Sequence, residues 1–369
     1  MKIYQCIHKY PPHIPLFEKM HGINDSSTLT FEALRKLLVN DGYAASYILK
    51  PALEHKTNEV FFTIWNYERL QLLWAKENGL TTTDLTEIKL AQIKKFKPDV
   101  FYNMSPFADD NFIELLIQSG VKTYNICWNG FIEKRPRTFP FYDIHLTLHQ
   151  PFVNYWKKLG LKANELQPAV IDKWLNNPQE KTIDVLFYGQ YYKGIFNKRN
   201  ELINQLMLYS KSSPYLINVH LQVQEIKRLI LKLPKINIQQ TVFPSKKIRK
   251  LILPPLYGQE LSNTLKKSKI VVNAYGDNNQ DYKSNMRLFE AIGHGALLIS
   301  ERGNYPEGLI PDEDFITYSD YNELESVIEK VLMNWDDYKE FAERASKKIH
   351  TLFSKENQWK KFQEIVGAL

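Results

Sequence analysis

Cysteine is nearly absent from this 369-residue chain: Cys6 and Cys127 are the only two, far apart and with no Cys or His at metal-ligand spacing. That excludes a disulfide framework and a zinc site as organising features, and each thiol is expected to pack as a small apolar side chain. No run approaches the roughly 18 apolar residues of a membrane span. The opening MKIYQCIHKYPPH has only a brief apolar stretch before polar and proline residues, which does not fit a signal peptide. A cytoplasmic location is expected, with the inner face of the plasma membrane as its furthest reach. Internal repeats and low-complexity segments are lacking too. Charge of one sign is also scarce: 48 Lys+Arg against 41 Asp+Glu leave +7 at pH 7. Without a basic stripe this does not fit a dedicated nucleic-acid binder, so nucleic acid is not an expected partner. It suits small anions and peripheral contact with an anionic membrane.

What is present is an ordinary globular composition, 44% hydrophobic, 24% charged and 13% aromatic, too apolar for intrinsic disorder. At about 150 residues per domain the length predicts two domains. Short β-type runs alternate with amphipathic helical segments, the pattern of an α/β protein with parallel sheets. Strands are expected at Lys2–Tyr10, Tyr43–Leu49, Asp99–Ser105, Thr123–Trp128 and Asp143–Leu148. The second half continues with Ile183–Tyr188, Tyr215–His220, Ile236–Val242, Lys269–Ala274, Ala296–Ser300 and Asp314–Tyr318. Phe31, Leu34, Leu37 and Leu38 give a first helix one apolar face, closed at Asp41-Gly42. Capping boxes at Asp84–Glu87 and Asp320–Glu323 open two more helices. The Asn-, Pro- and charge-rich segment from Pro168 to Lys181 marks the boundary. The expected domains are 1–170, 171–350 and a terminal helix, 351–369, packing back toward the first. Open parallel sheets bind ligands at their carboxyl edges, so a cleft between the domains is the expected site.

The most informative stretch runs from Asp277 to Gly308: a polar loop, a helix with Ser284 as its N-cap, a turn at Gly293-His-Gly295 and the strand ALLIS. Met286, Phe289 and Ile292 or Gly293 share a face expected to pack on the sheet. Lys283, Arg287, Glu290 and His294 recur at three- and four-residue steps as one polar stripe. Two cations in the first turn oppose the helix dipole, at about 0.3–1 kcal/mol each near an exposed terminus. An anion bound there reverses the sign, and a diphosphate fits. The alternative is a solvated helix face with Arg287 paired to Glu290; for His294 it is the capping of helix carbonyls.

The run Asn285-Met-Arg287-Leu-Phe289-Glu290-Ala-Ile-Gly-His-Gly295, followed by a strand, a Glu-Gly-Leu turn and Asp314–Ser319, resembles the C-terminal domain of the CgeB-like glycosyltransferases. These lie within the wider group-1 glycosyltransferases of the GT-B fold. The likeness continues upstream through Tyr257-Gly258-Gln-Glu260-Leu and Ser268-Lys-Ile-Val-Val-Asn273, and loosely into Asp143–Val170. It implies two Rossmann-like parallel-sheet domains facing a cleft, with a nucleotide-sugar donor in the C-terminal one and an acceptor in the N-terminal one. It further implies that Glu290 holds the nucleotide ribose and that the helix start, with Lys283, Ser284, Asn285 and Arg287, faces the diphosphate. Neither a metal nor another cofactor is expected. Retaining group-1 enzymes carry a second glutamate eight residues before the ribose glutamate; Tyr282 stands there, which leaves retention or inversion open.

Gly189 ends a strand that resembles the first strand of the nucleotide domain. Gln190 stands where many group-1 enzymes have an arginine, leaving Lys193 and Arg199 as diphosphate contacts or as part of a plain basic loop. Tyr257 and Gly258 resemble part of the nucleobase rim, the alternative being helix-start packing.

In the first domain the loop Tyr10–Ser27 follows the first strand and holds His13, Glu18, His21 and Asp25. Inverting transfer needs a group that takes the proton of the acceptor hydroxyl, so Glu18, His21 and Asp25 are the candidate bases. Asp25 serves equally well as the N-cap of the next helix. Asn103, Ser105 and Asn129 end strands and suit sugar hydroxyls, whereas Asp109-Asp110 reads as a helix start rather than a metal site. The expected activity is sugar transfer from a nucleotide-sugar to a hydroxyl of a surface polysaccharide, lipopolysaccharide, lipid-linked sugar or other glycan. Two rivals stay open: a DNA-base glycosyltransferase, and a catalytically silent nucleotide-sugar-binding subunit.

Overall fold

The apolar runs are short, β-branched and aromatic, and capped helices separate them, so the strands can pair only by crossovers and therefore in parallel. The computed structural model describes residues 1–43, 53, 58–108, 111–130, 137–191, 196–223, 246–276 and 281–367. Two units emerge: Met1–Ala169 with Phe353–Leu369, and Val170–Leu352.

In the first unit β1 (Lys2–Ile7), α1 (His13–Met20), α2 (Phe31–Asp41), β2 (Glu59–Ile64), α3 (Glu68–Glu77), α4 (Leu85–Phe96) and β3 (Val100–Asn103) come first. Then follow α5 (Phe112–Gln118), β4 (Tyr124–Trp128), β5 (Ile144–Thr147), α6 (Gln150–Lys158) and β6 (Ala163–Glu165). The sheet order is β2-β1-β3-β4-β5-β6, parallel throughout. Residues 3–7 of β1 are all buried, as expected of a strand covered on both faces. β1 stops at Ile7, short of Tyr10, because Tyr10 already turns the chain, its carbonyl accepting from His13 N at 2.9 Å. β2 and β6 were not legible as strands. The run Glu59-Val-Phe-Phe-Thr-Ile64 lacks the alternation that marks a half-buried strand, and a short apolar run does not tell strand from buried helix. The expected strands Tyr43–Leu49, beyond Tyr43, and Ile236–Val242 lie outside the described residues, as do Asp109 and Asp110.

The second unit holds β7 (Ile183–Tyr191), α7 (Asn197–Ser212), β8 (Ile217–Val223), α8 (Lys246–Arg249), α9 (Gly258–Lys267) and β9 (Ser268–Asn273). After these come α10 (Met286–Gly293), β10 (Leu297–Glu301), β11 (Ile316–Tyr318), α11 (Tyr321–Met333) and α12 (Trp335–Leu352). Its sheet runs β11-β10-β9-β7-β8, again parallel. The core gathers Val185, Phe187, Ile203, Leu206, Ile270, Val272 and Ile299. The last helix, α13 (Lys355–Val366), belongs to the first unit, where Phe362 lies 5.7 Å from the Tyr102 ring.

Three caps follow their sequence signals. Asp84 accepts from Thr86 N and Glu87 N, Asp320 from Glu323 N, and Gly42 closes α2 at φ 72°. Two caps differ. The N-cap of α10 is Asn285, not Ser284, and that of α2 is Thr30, so Asp25 caps nothing. Ser284 and Asn285 are nearly equivalent cap residues, and only backbone geometry chooses between them.

Candidate active site

Because β7, β8, β9 and β10 are parallel, their carboxyl ends put Tyr188–Tyr191, Gln222, Asn273 and Glu301 on one edge of the second sheet. α10 begins at that same edge. Its cap, Asn285, accepts from Leu288 N at 3.1 Å and donates through Nδ2 to Asn273 Oδ1 at 2.9 Å, tying the helix start to the end of β9.

The alternative of a solvated polar face on α10 does not hold. Every residue from Arg287 to Gly293 is buried, Glu290 at 4% exposure, because the helix is covered on both sides. On its far side His350 of α12 bonds the Gly293 carbonyl at 2.8 Å. The polar stripe is therefore an internal network.

Arg287 donates from Nη1 to Asn273 Oδ1 at 2.7 Å and from Nη2 to the Tyr188 carbonyl, and its guanidinium stands 5.0 Å from the Phe187 ring and 4.9 Å from that of Tyr188. Its Nε is buried without an acceptor. Gly189 makes this approach possible: its φ is 154°, and a Cβ there would lie 2.6 Å from Arg287 Nη2. Glu290 Oε2 accepts from Tyr188 OH at 2.6 Å. Burial raises the Glu290 carboxyl above its ordinary range, the Tyr188 hydrogen bond and the Arg287 charge pulling the other way. Burial also holds Tyr188 well above its ordinary value, with the Glu290 charge adding to it.

Lys283 pairs with Glu301 Oε2 at 3.1 Å, and Glu301 also accepts from Tyr275 N at 3.0 Å. Neither stripe cation is idle. Lys283, Glu301, Tyr275 and Tyr318 line a cavity of about 470 Å³ with Lys198 and Asp320. Tyr257 is the residue before α9, its OH 3.4 Å from Gln222 Oε1; Gly258 is the first residue of α9, at φ 50°. Gln190 bonds the same Gln222 oxygen at 3.5 Å, and Arg199 donates to the Gln190 carbonyl at 2.6 Å. Ser284 is buried, and Lys193 lies outside the described residues.

His294 is the C-cap of α10. Nδ1 faces the Glu290 carbonyl at 2.7 Å, so it carries the proton and Nε2 accepts from Ser262 Oγ at 2.8 Å. Burial pushes its pKa down from 6.5 to about 3. A depressed histidine stabilises the fold fully above its unfolded value and loses that contribution as pH falls toward the folded one. Urea midpoints of a His294→Gln variant should therefore decline less steeply than the parent's between pH about 6.5 and about 3. Parallel acid limbs would show that His294 titrates normally.

In the first unit Glu18 accepts from Tyr67 OH at 2.6 Å and from Arg69 Nε at 3.2 Å, and Arg69 reaches Asp25 at 2.9 Å. All four line a cavity of about 720 Å³. Burial, then the Glu18 hydrogen bond, pushes the Tyr67 phenol up. His21 ends α1 against the Phe17 ring, apart from this network, and its Nε2 is buried without a partner. Asn103 is turned inward, donating to Tyr142 OH at 2.9 Å and accepting from Ser105 N at 2.9 Å. Ser105 Oγ accepts from His8 N at 3.2 Å, and Asn129 is buried. Sequence reasoning missed Tyr188, Asn273, Glu301 and Arg69, and it missed the buried pair of His13 Nε2 with Asp41 at 2.9 Å. Tyr188 and Asn273 had a signal, each at a strand end, Asn273 also within the family-like run from Ser268.

Among the described residues no group of three or more His, Cys, Asp or Glu is placed to hold a metal ion, and no helix is long and apolar enough to cross a membrane.

Known structures place this architecture. The chain superposes along its full length on all of the Anabaena HepE protein in complex with UDP-glucose, at TM-score 0.57 and 12% identity. A glycosyltransferase from Rickettsia africae matches at TM-score 0.52 and 14% identity, over 99% of this chain and 97% of that one. The sucrose-phosphate synthase of Thermosynechococcus elongatus matches at TM-score 0.54 and 11% identity, over 100% of both chains. At such identities the likeness is one of fold, and the fold is GT-B. In sequence, residues 224–364 match the family model described as glycosyl transferase-like, which spans most of the second unit and nearly all of α13. No curated protein matches the chain.

Proposed function

We propose that the chain is a glycosyltransferase that holds a nucleotide-sugar at the carboxyl edge of the second sheet and passes the sugar to an acceptor hydroxyl. The carrying observation is Glu290, a buried carboxylate fixed by Tyr188 beside the start of α10, within the stretch that matches the glycosyl transferase-like model. A carboxylate held this way accepts from the vicinal hydroxyls of a ribose. The diphosphate meets the first backbone N–H groups of α10, and Lys283 exchanges Glu301 for a phosphate oxygen. These donors stabilise the charge that grows on the leaving phosphate, so transfer is proposed to run without a metal. UDP-glucose, held by HepE, is the first donor to try.

The acceptor hydroxyl must lose a proton, and Glu18, His21 and Asp25 are the groups proposed for that role. Glu18 and Asp25 share a cavity with Tyr67 and Arg69 that suits a polyhydroxyl ligand. The acceptor is proposed to be a surface glycan or lipid-linked sugar, with the +7 charge favouring anionic lipid where such acceptors lie.

A thermal-shift panel of nucleotides and nucleotide-sugars tests the reading. A donor at one hundred times its Kd adds about 2.7 kcal/mol, which raises Tm by roughly 5–10 °C for a unit of this size. No shift with any nucleoside diphosphate or nucleotide-sugar would count against it.

A further inference from the structure

The amino edge of the second sheet, opposite the one just described, carries a cavity of about 640 Å³. Lys181 lies just before β7, Lys269 near the start of β9 and Gly295 just before β10, and all three line it. Two indoles, Trp174 and Trp335, form apolar wall. The Trp174 ring is fixed, stacked on His294 at 4.5 Å and close enough to Gly293 that a Cβ there would meet it at 2.6 Å. A fixed wall loses little freedom on binding.

The cations differ in what holds them. Lys269 is paired with Asp184 at 2.7 Å, and Lys266 donates to the carbonyls of Lys173 and Asn176. Lys181 Nζ is buried and has no hydrogen-bond partner. Burial pushes it down from 10.5 to about 8, against an opposing pull from Glu343. Lys339 and Lys347 of α12 bring the lining to five lysines, against the three carboxylates of Glu180, Asp336 and Glu343. With Lys269 matched by Asp184, the other four lysines still outnumber the three carboxylates, and an unmet buried ammonium is relieved by an anion.

We propose that this cavity is a binding site for an organic phosphate, its dianionic head at Lys181 and its apolar body against Trp174 and Trp335. The site does not depend on the donor reading, since it shares none of the side chains assigned to the donor.

The test is calorimetric titration of phenyl phosphate into the full chain at pH 8, with inorganic phosphate and phenol as head-only and body-only controls. Phenyl phosphate should bind more tightly than either control. Because an anion restores the Lys181 proton, binding should take up protons, read as a dependence of the heat on buffer ionisation enthalpy. Lys181→Met should weaken binding at least tenfold and remove the uptake, and Lys181→Arg should keep binding without uptake. No binding, equal binding by the Lys181→Met protein, or uptake that persists in Lys181→Arg would each overturn the proposal.

Discussion

Replacing Glu290 by glutamine is expected to lower the affinity for a nucleotide-sugar on the order of 10–100-fold while leaving the fold as stable as before or more so. A hydrogen bond to a charged group contributes about 1.5–3 kcal/mol, and 1.4 kcal/mol is tenfold. The amide oxygen still accepts from Tyr188, which now donates to the carboxylate at 2.6 Å, but the charge that draws ribose hydroxyls is gone. The stability half follows from the raised pKa of the buried carboxyl. A raised carboxyl binds its proton more readily folded than unfolded, so its contribution is full below the ordinary value of 4.5 and is lost as pH rises through the folded value. The Gln variant has no such loss. Donor titrations and urea midpoints at pH 4 and 7.5 check both halves. Unchanged donor affinity would remove the ribose role from Glu290.

Arg287→Met should be the most destabilising single change at this edge. It removes the donor to the Tyr188 carbonyl and one of the two donors to Asn273 Oδ1, and strands the Glu290 carboxylate in the interior without the Arg287 charge. Breaking a buried charge constellation from one side costs about 3–5 kcal/mol, or a fall in Tm of roughly 10 °C. Gly189→Ala should act in the same direction and less strongly, because its Cβ meets the flexible end of Arg287 at 2.6 Å. Melting curves read both. An Arg287→Met protein with parental Tm would mean that the guanidinium is not the tie between β7 and β9.

Much of the fold was legible because its signals are local. The cap at Asp84, the box at Asp320 and the left-handed Gly42 are each read within four residues, and the α10 segment shows its helix, turn and strand in order. What was misread depends on distant neighbours. The spacing of Arg287, Glu290 and His294 reads them along one line, but Lys283 precedes the helix, whose cap is Asn285, and it is distant partners, Tyr188, Asn273 and Ser262, that make the line internal. Arg69 gathers Glu18 and Asp25 from a separate helix, and His13 meets Asp41 across two helices. No residue pattern in one sequence announces such pairs. Long-range burial also decided His294, which its neutral, doubly bonded ring makes a cap rather than a titrating group.

The central claim is turnover of a nucleotide-sugar at the Glu290 edge, and the direct measurement is release of nucleoside diphosphate from a donor panel that includes UDP-glucose. The parent protein should release nucleoside diphosphate from at least one donor, and folded Glu290→Gln should do so with kcat/KM reduced at least tenfold. No release from any donor, or equal release by the two proteins, would contradict the account.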